Sequence, residues 1–342
     1  MTSPSVERRI GLVGAGWVAP HHLKAWQQLR GRARVVAIAD PAIEAARAKA
    51  EAFGAPAVYP SAEAMLEQEP LDALDVASPR ETHAPICRLA ADRGLAIICQ
   101  KPLAPTFDEA AALAADVGSR VRFMVHENWR FRPHYRRLAR WLREERIGRI
   151  RTATMTLLTS GLVVDSSGRA PAIERQPMFA TLERLLVMEV VIHHVDTLRF
   201  LLGPLALHSA AIGRSCALVR GEDRVSMFMT TASDAAVTLV ADYMAHGQPA
   251  TLRDRLQLLG TNGAIVLDGD RLSLMRDGHV EEDVAIDLAA DYDASFRDTL
   301  AHFLNRLDDG GPFETSPEDN LETLRIVEQV YQTSVTERGP KS

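Results

Sequence analysis

Cysteine is scarce in this chain, with three in 342 residues. Cys87, Cys99 and Cys216 are far apart, odd in number and without CxxC spacing, which argues against a disulfide framework and against a cysteine-built zinc site. There is no basic excess: Lys+Arg 39 stand against Asp+Glu 45, a formal net charge of -6. A general nucleic-acid binder would need a basic face to neutralise phosphates, so none is expected here. Nor is there a run approaching the roughly 18 to 20 apolar residues needed to cross a bilayer, and the opening MTSPSVERRI lacks the apolar stretch of a secretory signal. The expectation is a cytoplasmic protein with no membrane partner.

What is present is ordinary for a globular protein, 46% hydrophobic and 25% charged residues, over a length that suits about two domains of roughly 150 residues. The first 125 or so residues alternate short apolar runs (RIGLVG, RVVAIAD, ALDVAS, LAIICQ, VRFMVH) with Ala- and Leu-rich stretches of helical spacing, such as 81–93 and 108–117. That rhythm predicts βαβ units with a parallel sheet. Beyond residue 130 the pattern changes to longer strand candidates at 151–159, 225–231, 235–243, 252–259 and 264–267. Thr261-Asn262-Gly263 and Asp268-Gly269-Asp270 separate the last of these and read as hairpin turns, so the second half is expected to form a mostly antiparallel sheet with helices. Two helices should close the chain, near 293–307 and from Ser316-Pro317-Glu318-Asp319, where a serine cap, a first-turn proline and acids coincide.

The segment from Gly11 to Ala19 holds G-x-G-x-x-A straight after a strand and straight before a helix pattern. Gly14 suits a tight turn, Gly16 lets the backbone approach a pyrophosphate, and Ala19 lets helix and strand pack closely. The second strand ends in Asp40, 24 residues after Gly16, where an acid hydrogen-bonds the ribose hydroxyls. Its carboxylate would repel a 2′-phosphate, so NAD is favoured over NADP.

Several segments together resemble the glucose-fructose oxidoreductase / inositol dehydrogenase family, Gfo/Idh/MocA. These are GLVGAGWVA, SPRETH (78–83), CQKPLA (99–104), ENWRF (127–131), EVVIHHVDTLRFLLG (189–203) and the C-terminal TSPEDNLETLRIVEQVY. The resemblance implies an α/β protein: an NAD-binding Rossmann domain over 1–127, and over 128–342 a C-terminal α/β substrate-binding and oligomerisation domain with a large, mostly antiparallel open sheet. It implies a homo-oligomer, a dimer or tetramer. On the matching positions, the cofactor would be held by Gly14, Gly16, Trp17, Val18, Asp40, Ser78, Pro79, His83, Gln100 and Lys101.

The resemblance also places Lys101 beside the nicotinamide, where its amine can hydrogen-bond the reacting hydroxyl or relay its proton. Gln100 stands where the family usually has Glu, which keeps a ribose hydrogen bond and removes a charge. Glu189 and His193 match an Asp/His pair. The i, i+4 spacing puts both on one helix face, so the carboxylate can orient the imidazole that takes the hydroxyl proton. His194 points about 100° away and reads as a packing or interface residue; Asp196 reads equally as a solvated or capping acid or as a support for the site.

Nine arginines fall between Arg130 and Arg151. Arg136, Arg137, Arg140 and Arg143 read as an exposed helix face, whereas Arg130 matches a family arginine that faces the active site. Arg132 and Arg175 are further candidates, and two such forks in the cleft would suit a carboxylate, favouring a sugar acid over a neutral sugar or cyclitol. The expected substrate is thus a sugar acid, sugar or polyol oxidised at a secondary alcohol. The alternatives are an oxidoisomerase or other retained-NAD enzyme acting on a branched sugar acid, and a non-catalytic dinucleotide-sensing protein. No metal is expected, the alternative being Mg²⁺ on Glu127, Glu189 and His193.

Overall fold

A computed structural model of the chain describes residues 7–333 and 335–336. The chain divides into two compact units. The first runs up to Arg132 and takes in Tyr292–Leu324; the second holds Pro133–Asp291 and the chain from Arg325 on. The reading from sequence cut the chain once, after residue 127, whereas compaction follows a chain that returns to the first unit late.

In the first unit β1 (Arg8–Val13), α1 (Ala19–Gln28), β2 (Ala33–Ala39), α2 (Ile43–Phe53), β3 (Ala57–Tyr59), α3 (Ala62–Gln68), β4 (Ala73–Val76), α4 (His83–Ala91), β5 (Ala96–Gln100), α5 (Phe107–Gly118) and β6 (Phe123–His126) alternate as expected. The sheet is parallel throughout, in the order β3-β2-β1-β4-β5-β6. That is the doubly wound order whose switch point lies between β1 and β4, where ligands bind at the carboxyl ends of the strands. All four residues of β4 and all four of β6 are buried, which is why these strands read as apolar runs without alternation. One core cluster joins Ile10, Trp26, Ile98 and Met124 to Phe296, Leu300, Phe303 and Phe313, so the returning segment supplies apolar side chains to the first sheet's core. Thr315 also trades backbone hydrogen bonds with Val125: its carbonyl accepts the Val125 N–H at 2.8 Å, and its hydroxyl donates to the Val125 carbonyl at 2.7 Å.

The second unit is built on α6 (Pro133–Arg143), β7 (Ile150–Leu158), α7 (Pro171–Arg175), α8 (Ile192–Leu202), β8 (Leu205–Gly213), β9 (Arg224–Thr231), β10 (Ala236–Asp242), β11 (Asp254–Gly260), β12 (Ala264–Asp268), β13 (Arg271–Arg276) and β14 (His279–Ala285). The chain closes with α9 (Leu288–Asp309), α10 (Pro317–Thr333) and β15 (Val335–Thr336). Nine strands lie in the order β14-β13-β12-β11-β7-β10-β9-β8-β15. The pairs are antiparallel except β7 with β10 and β8 with β15.

Register decides which face is core. Met155, Leu239, Met227, Leu256, Leu267 and Leu272 form one buried row across six strands. The neighbouring row, Phe228, Thr238, Thr154, Gln257, Val266 and Ser273, lies on the other face and is at most half-buried. The α10 start is capped as its sequence predicts, the Asp319 N–H donating to Ser316 Oγ at 3.3 Å. The three cysteines are buried free thiols, and among the described residues no helix is long and apolar enough to cross a membrane.

Candidate active site

The glycine turn follows β1. Gly14 has φ of 106°, and a Cβ there would sit 2.6 Å from the Ala77 carbonyl carbon and oxygen. Only glycine permits both the left-handed backbone and this approach to the end of β4. At Gly16 an added Cβ would meet no atom within 4 Å, so the turn leaves room on the side where a phosphate would lie. The first turn of α1 has no side-chain cap; Pro20 carries no N–H, and the Ala19 and His21 N–H groups donate to the Gly16 and Val18 carbonyls at 3.3 and 3.0 Å. Ala19 is fully buried, Val18 is half-buried and Trp17 is exposed. Asp40 braces the turn from the end of β2: Oδ2 accepts the Ala15 N–H at 2.7 Å and Oδ1 the Ala42 N–H at 2.7 Å. Each oxygen keeps a second lone pair, so the open glycine turn and this acid fit a dinucleotide.

Ser78 and Pro79 follow β4, with Ser78 Oγ 2.7 Å from Thr82 Oγ1. His83 is buried, its Nε2 2.9 Å from the Ser78 carbonyl and its Nδ1 3.1 Å from the Pro102 carbonyl. It therefore ties the loop after β4 to the loop after β5. Burial holds its pKa below the ordinary 6.5, outweighing the carbonyls of Ser78, Leu103 and Pro102, which favour the charged ring. Lys101 is half-buried at the end of β5, and its N–H donates to Gln100 Oε1 at 3.1 Å.

Glu127 is fully buried, its Oε1 accepting the Trp129 N–H at 3.1 Å. Arg130 is also buried; it donates to the Glu314 carbonyl at 2.9 Å and pairs with Asp319 at 2.7 Å. Its guanidinium thus holds the approach to α10. Arg132 lies over Trp129, 4.7 Å from the ring centroid.

In the second unit Glu189 sits in a π-helical turn, Val187–Val191, that leads into α8. The Ile192 N–H donates back five residues to the Val187 carbonyl. Such single π turns are frequent at functional sites. The sequence spacing assumed an α-helix throughout, and the widened turn is the difference. Glu189 is half-buried and His193 is 8% exposed. His194 is fully buried, Nε2 2.9 Å from Asp254 Oδ1 and Nδ1 3.0 Å from the Val190 carbonyl, which agrees with packing. Asp254 also accepts the Tyr135 hydroxyl at 2.7 Å. Asp196 is fully buried, so the solvated alternative is corrected.

Arg175 is exposed at the end of α7; its charge opposes the burial that raises the pKa of the Tyr243 phenol. Arg140 and Arg143 are exposed as expected, whereas Arg136 and Arg137 are half-buried, Arg136 lying over Phe200, 4.8 Å from its centroid. Among the described residues no group of three or more His, Cys, Asp or Glu side chains could hold a metal ion.

Two supports escaped the sequence reading. Glu222 Oε1 accepts the N–H groups of Leu185 and Val187 at 3.2 and 2.9 Å and the Tyr331 hydroxyl at 2.7 Å, anchoring the start of the turn that carries Glu189. In the first unit, His22 and Asp75 are buried in contact with each other. Neither acid lies in a motif, and only distant chain segments give them their partners.

A family model described as an oxidoreductase family with an NAD-binding Rossmann fold matches residues 8–126, and one for the GFO/IDH/MocA C-terminal domain matches residues 135–266. Among curated relatives, a D-apiose dehydrogenase of Paraburkholderia graminis is 33% identical over 96% of this chain and 88% of its own. An inositol 2-dehydrogenase of Rhizobium meliloti is 26% identical over 96% of this chain and 98% of its own. Among solved structures, an oxidoreductase from Agrobacterium radiobacter in complex with NAD+, L-tartaric acid and magnesium superposes with a TM-score of 0.88. It is 25% identical, over 96% of this chain and 96% of that one.

Proposed function

The chain belongs to the Gfo/Idh/MocA oxidoreductase family, and on that premise we propose that it is a cytoplasmic NAD-dependent dehydrogenase oxidising a CH–OH carbon of a neutral sugar or polyol. The observation that carries this reading is Lys101 at the carboxyl end of β5, in a sheet whose switch-point turn keeps Gly16 open. Bound NAD supplies the hydride acceptor. Gly14, Gly16, Trp17, Val18, Asp40, Ser78, Pro79 and Gln100 would hold it, with His83 tying the loop after β4 to the loop after β5. Lys101 would hydrogen-bond the reacting hydroxyl, and in the second unit His193 and Glu189 match the family's base and the acid beside it.

A neutral substrate is favoured over a sugar acid because the arginines that would clamp a carboxylate are engaged or exposed. Arg130 holds Asp319 and the Glu314 carbonyl, Arg132 stacks on Trp129, and Arg175 is exposed. The similarity to a D-apiose dehydrogenase supports a branched or simple pentose. The hydroxy-acid reading keeps one support, the relative crystallised with L-tartaric acid and magnesium.

The test is NADH formation by purified protein over sugars and polyols, each beside its matching acid, with and without Mg²⁺. Turnover on the neutral member is expected, with Lys101→Met lowering kcat about 10²- to 10⁴-fold at unchanged melting temperature. Turnover confined to the acids would reverse the substrate assignment. An unimpaired Lys101→Met would remove that residue from the chemistry.

A further inference from the structure

Behind Lys101, in the first unit, four polar side chains lie buried together: Asp75, His22 and His126 at 0% exposure and Gln100 at 8%. Buried polar groups must find partners of the opposite kind, so the proton positions follow from any group whose role cannot change. The backbone N–H of Lys101 is such a group. It donates to Gln100 Oε1 at 3.1 Å, which turns the amide nitrogen the other way. There Nε2 donates to His22 Nε2 at 2.8 Å and to His126 Nδ1 at 3.2 Å. Both ring nitrogens are then acceptors, and an imidazole that accepts is neutral. The His22 proton sits on Nδ1, which donates to Asp75 Oδ2 at 2.8 Å. The same oxygen accepts the Trp26 Nε1–H at 2.8 Å. Flipping the Gln100 amide would set its NH₂ against the Lys101 N–H.

We propose that His22 is a positioning residue for Lys101. Held by Asp75 as its neutral Nδ1–H tautomer, it orients the Gln100 amide so that Oε1 fixes the Lys101 backbone, and glutamine at this position keeps the support uncharged. The inference rests on the role proposed above for Lys101. A carboxylate at position 100 would face two ring lone pairs, and His22 would take up a proton to meet it. The groups facing His22 are Asp75 from β4, Gln100 from β5, His126 from β6 with ring centroids 4.3 Å apart, and Phe296 from α9 at 5.4 Å. On its own helix His21 is adjacent, stacked on Phe296 and 3.9 Å from Asp293. Asp75 is thus the one carboxylate in contact with the His22 ring among the interactions described.

The experiment is long-range ¹⁵N–¹H NMR of the full chain labelled with ¹⁵N-histidine, His22 being assigned by the signal lost in His22→Gln. Wild type is expected to show His22 protonated on Nδ1 and bare on Nε2, and Gln100→Glu to show both nitrogens protonated. An Nε2–H tautomer or an imidazolium in wild type, or a neutral His22 in Gln100→Glu, overturns the proposal. Kinetics follow on whichever sugar or polyol wild type oxidises fastest with NAD+. Asp75→Asn, whose amide oxygen still accepts the Nδ1–H, should retain kcat within about threefold, while His22→Gln should lose about tenfold or more in kcat with little change in KM. Gln100→Glu should gain a titration in its kcat profile that wild type lacks. If wild type oxidises none of these substrates, the dehydrogenase reading fails and the tautomer is still decided by NMR. If wild type turns over, Lys101→Met does not and His22→Gln is unimpaired, the positioning role fails and the dehydrogenase stands.

Discussion

His83 faces carbonyl oxygens with both ring nitrogens, and a neutral ring can donate to one of them. The charged ring would satisfy both, yet burial dominates and lowers its pKa below 6.5. Above that value the ring is neutral folded and unfolded, and its contribution to stability is complete. As pH falls below it the unfolded chain binds the proton first, so stability is lost progressively down to the depressed folded pKa. The melting temperature should therefore drop between about pH 7 and about pH 5, and less steeply in His83→Gln. His21, lowered in the same direction by burial, keeps its own share of the slope. Calorimetry across that range decides it, and equal slopes in both proteins would remove His83 from the account.

The π turn before α8 is the element whose geometry most concerns the chemistry. A five-residue back-bond leaves the first N–H groups of the segment in need of acceptors, and Glu222 supplies one oxygen to two of them. Tyr331 adds its hydroxyl to the same oxygen, and burial together with Glu222 raises the phenol pKa. Glu222→Ala would leave two buried donors unsatisfied, at about 1–3 kcal/mol each. The expected outcome is a lowered melting temperature and a kcat that falls more than KM rises, because Glu189 and His193 lose their fixed approach. Glu222→Gln keeps an acceptor and should retain most of both. Thermal melts and steady-state kinetics on the two variants check this.

At the scale of the whole molecule, the nine-stranded sheet leaves one face of its rows at most half-buried, with Phe228 at 41% and Leu259 at 38% exposure. Apolar side chains on an open sheet invite a second copy of the chain, which accords with the homo-oligomer proposed from the family. Light scattering should give a multiple of the chain mass, and Phe228→Asp should shift it towards one chain without unfolding. A wild-type protein with the mass of one chain would remove that face from the assembly.

Local sequence determined the parts that local physics decides. Apolar runs bounded by turn residues marked β1, β2, β4, β5 and β6, because strands buried on both faces carry no polar alternation. Gly14, Gly16 and Asp40 were legible because a tight turn, an open approach and a strand-end acid leave fixed spacings. The strands β8 and β14 were not, lying at the sheet's flanks with little apolar pattern to read, and β13 was missed although its buried Leu272 and Leu274 alternate with more exposed residues. Tertiary structure alone decided the partners of buried polar groups: Arg130 with Asp319, His194 with Asp254, His22 with Asp75, and Glu222 with a turn 35 residues away. The reason is physical. A propensity acts over a few residues of chain, whereas a buried charge or imidazole is satisfied by whatever the fold brings to it.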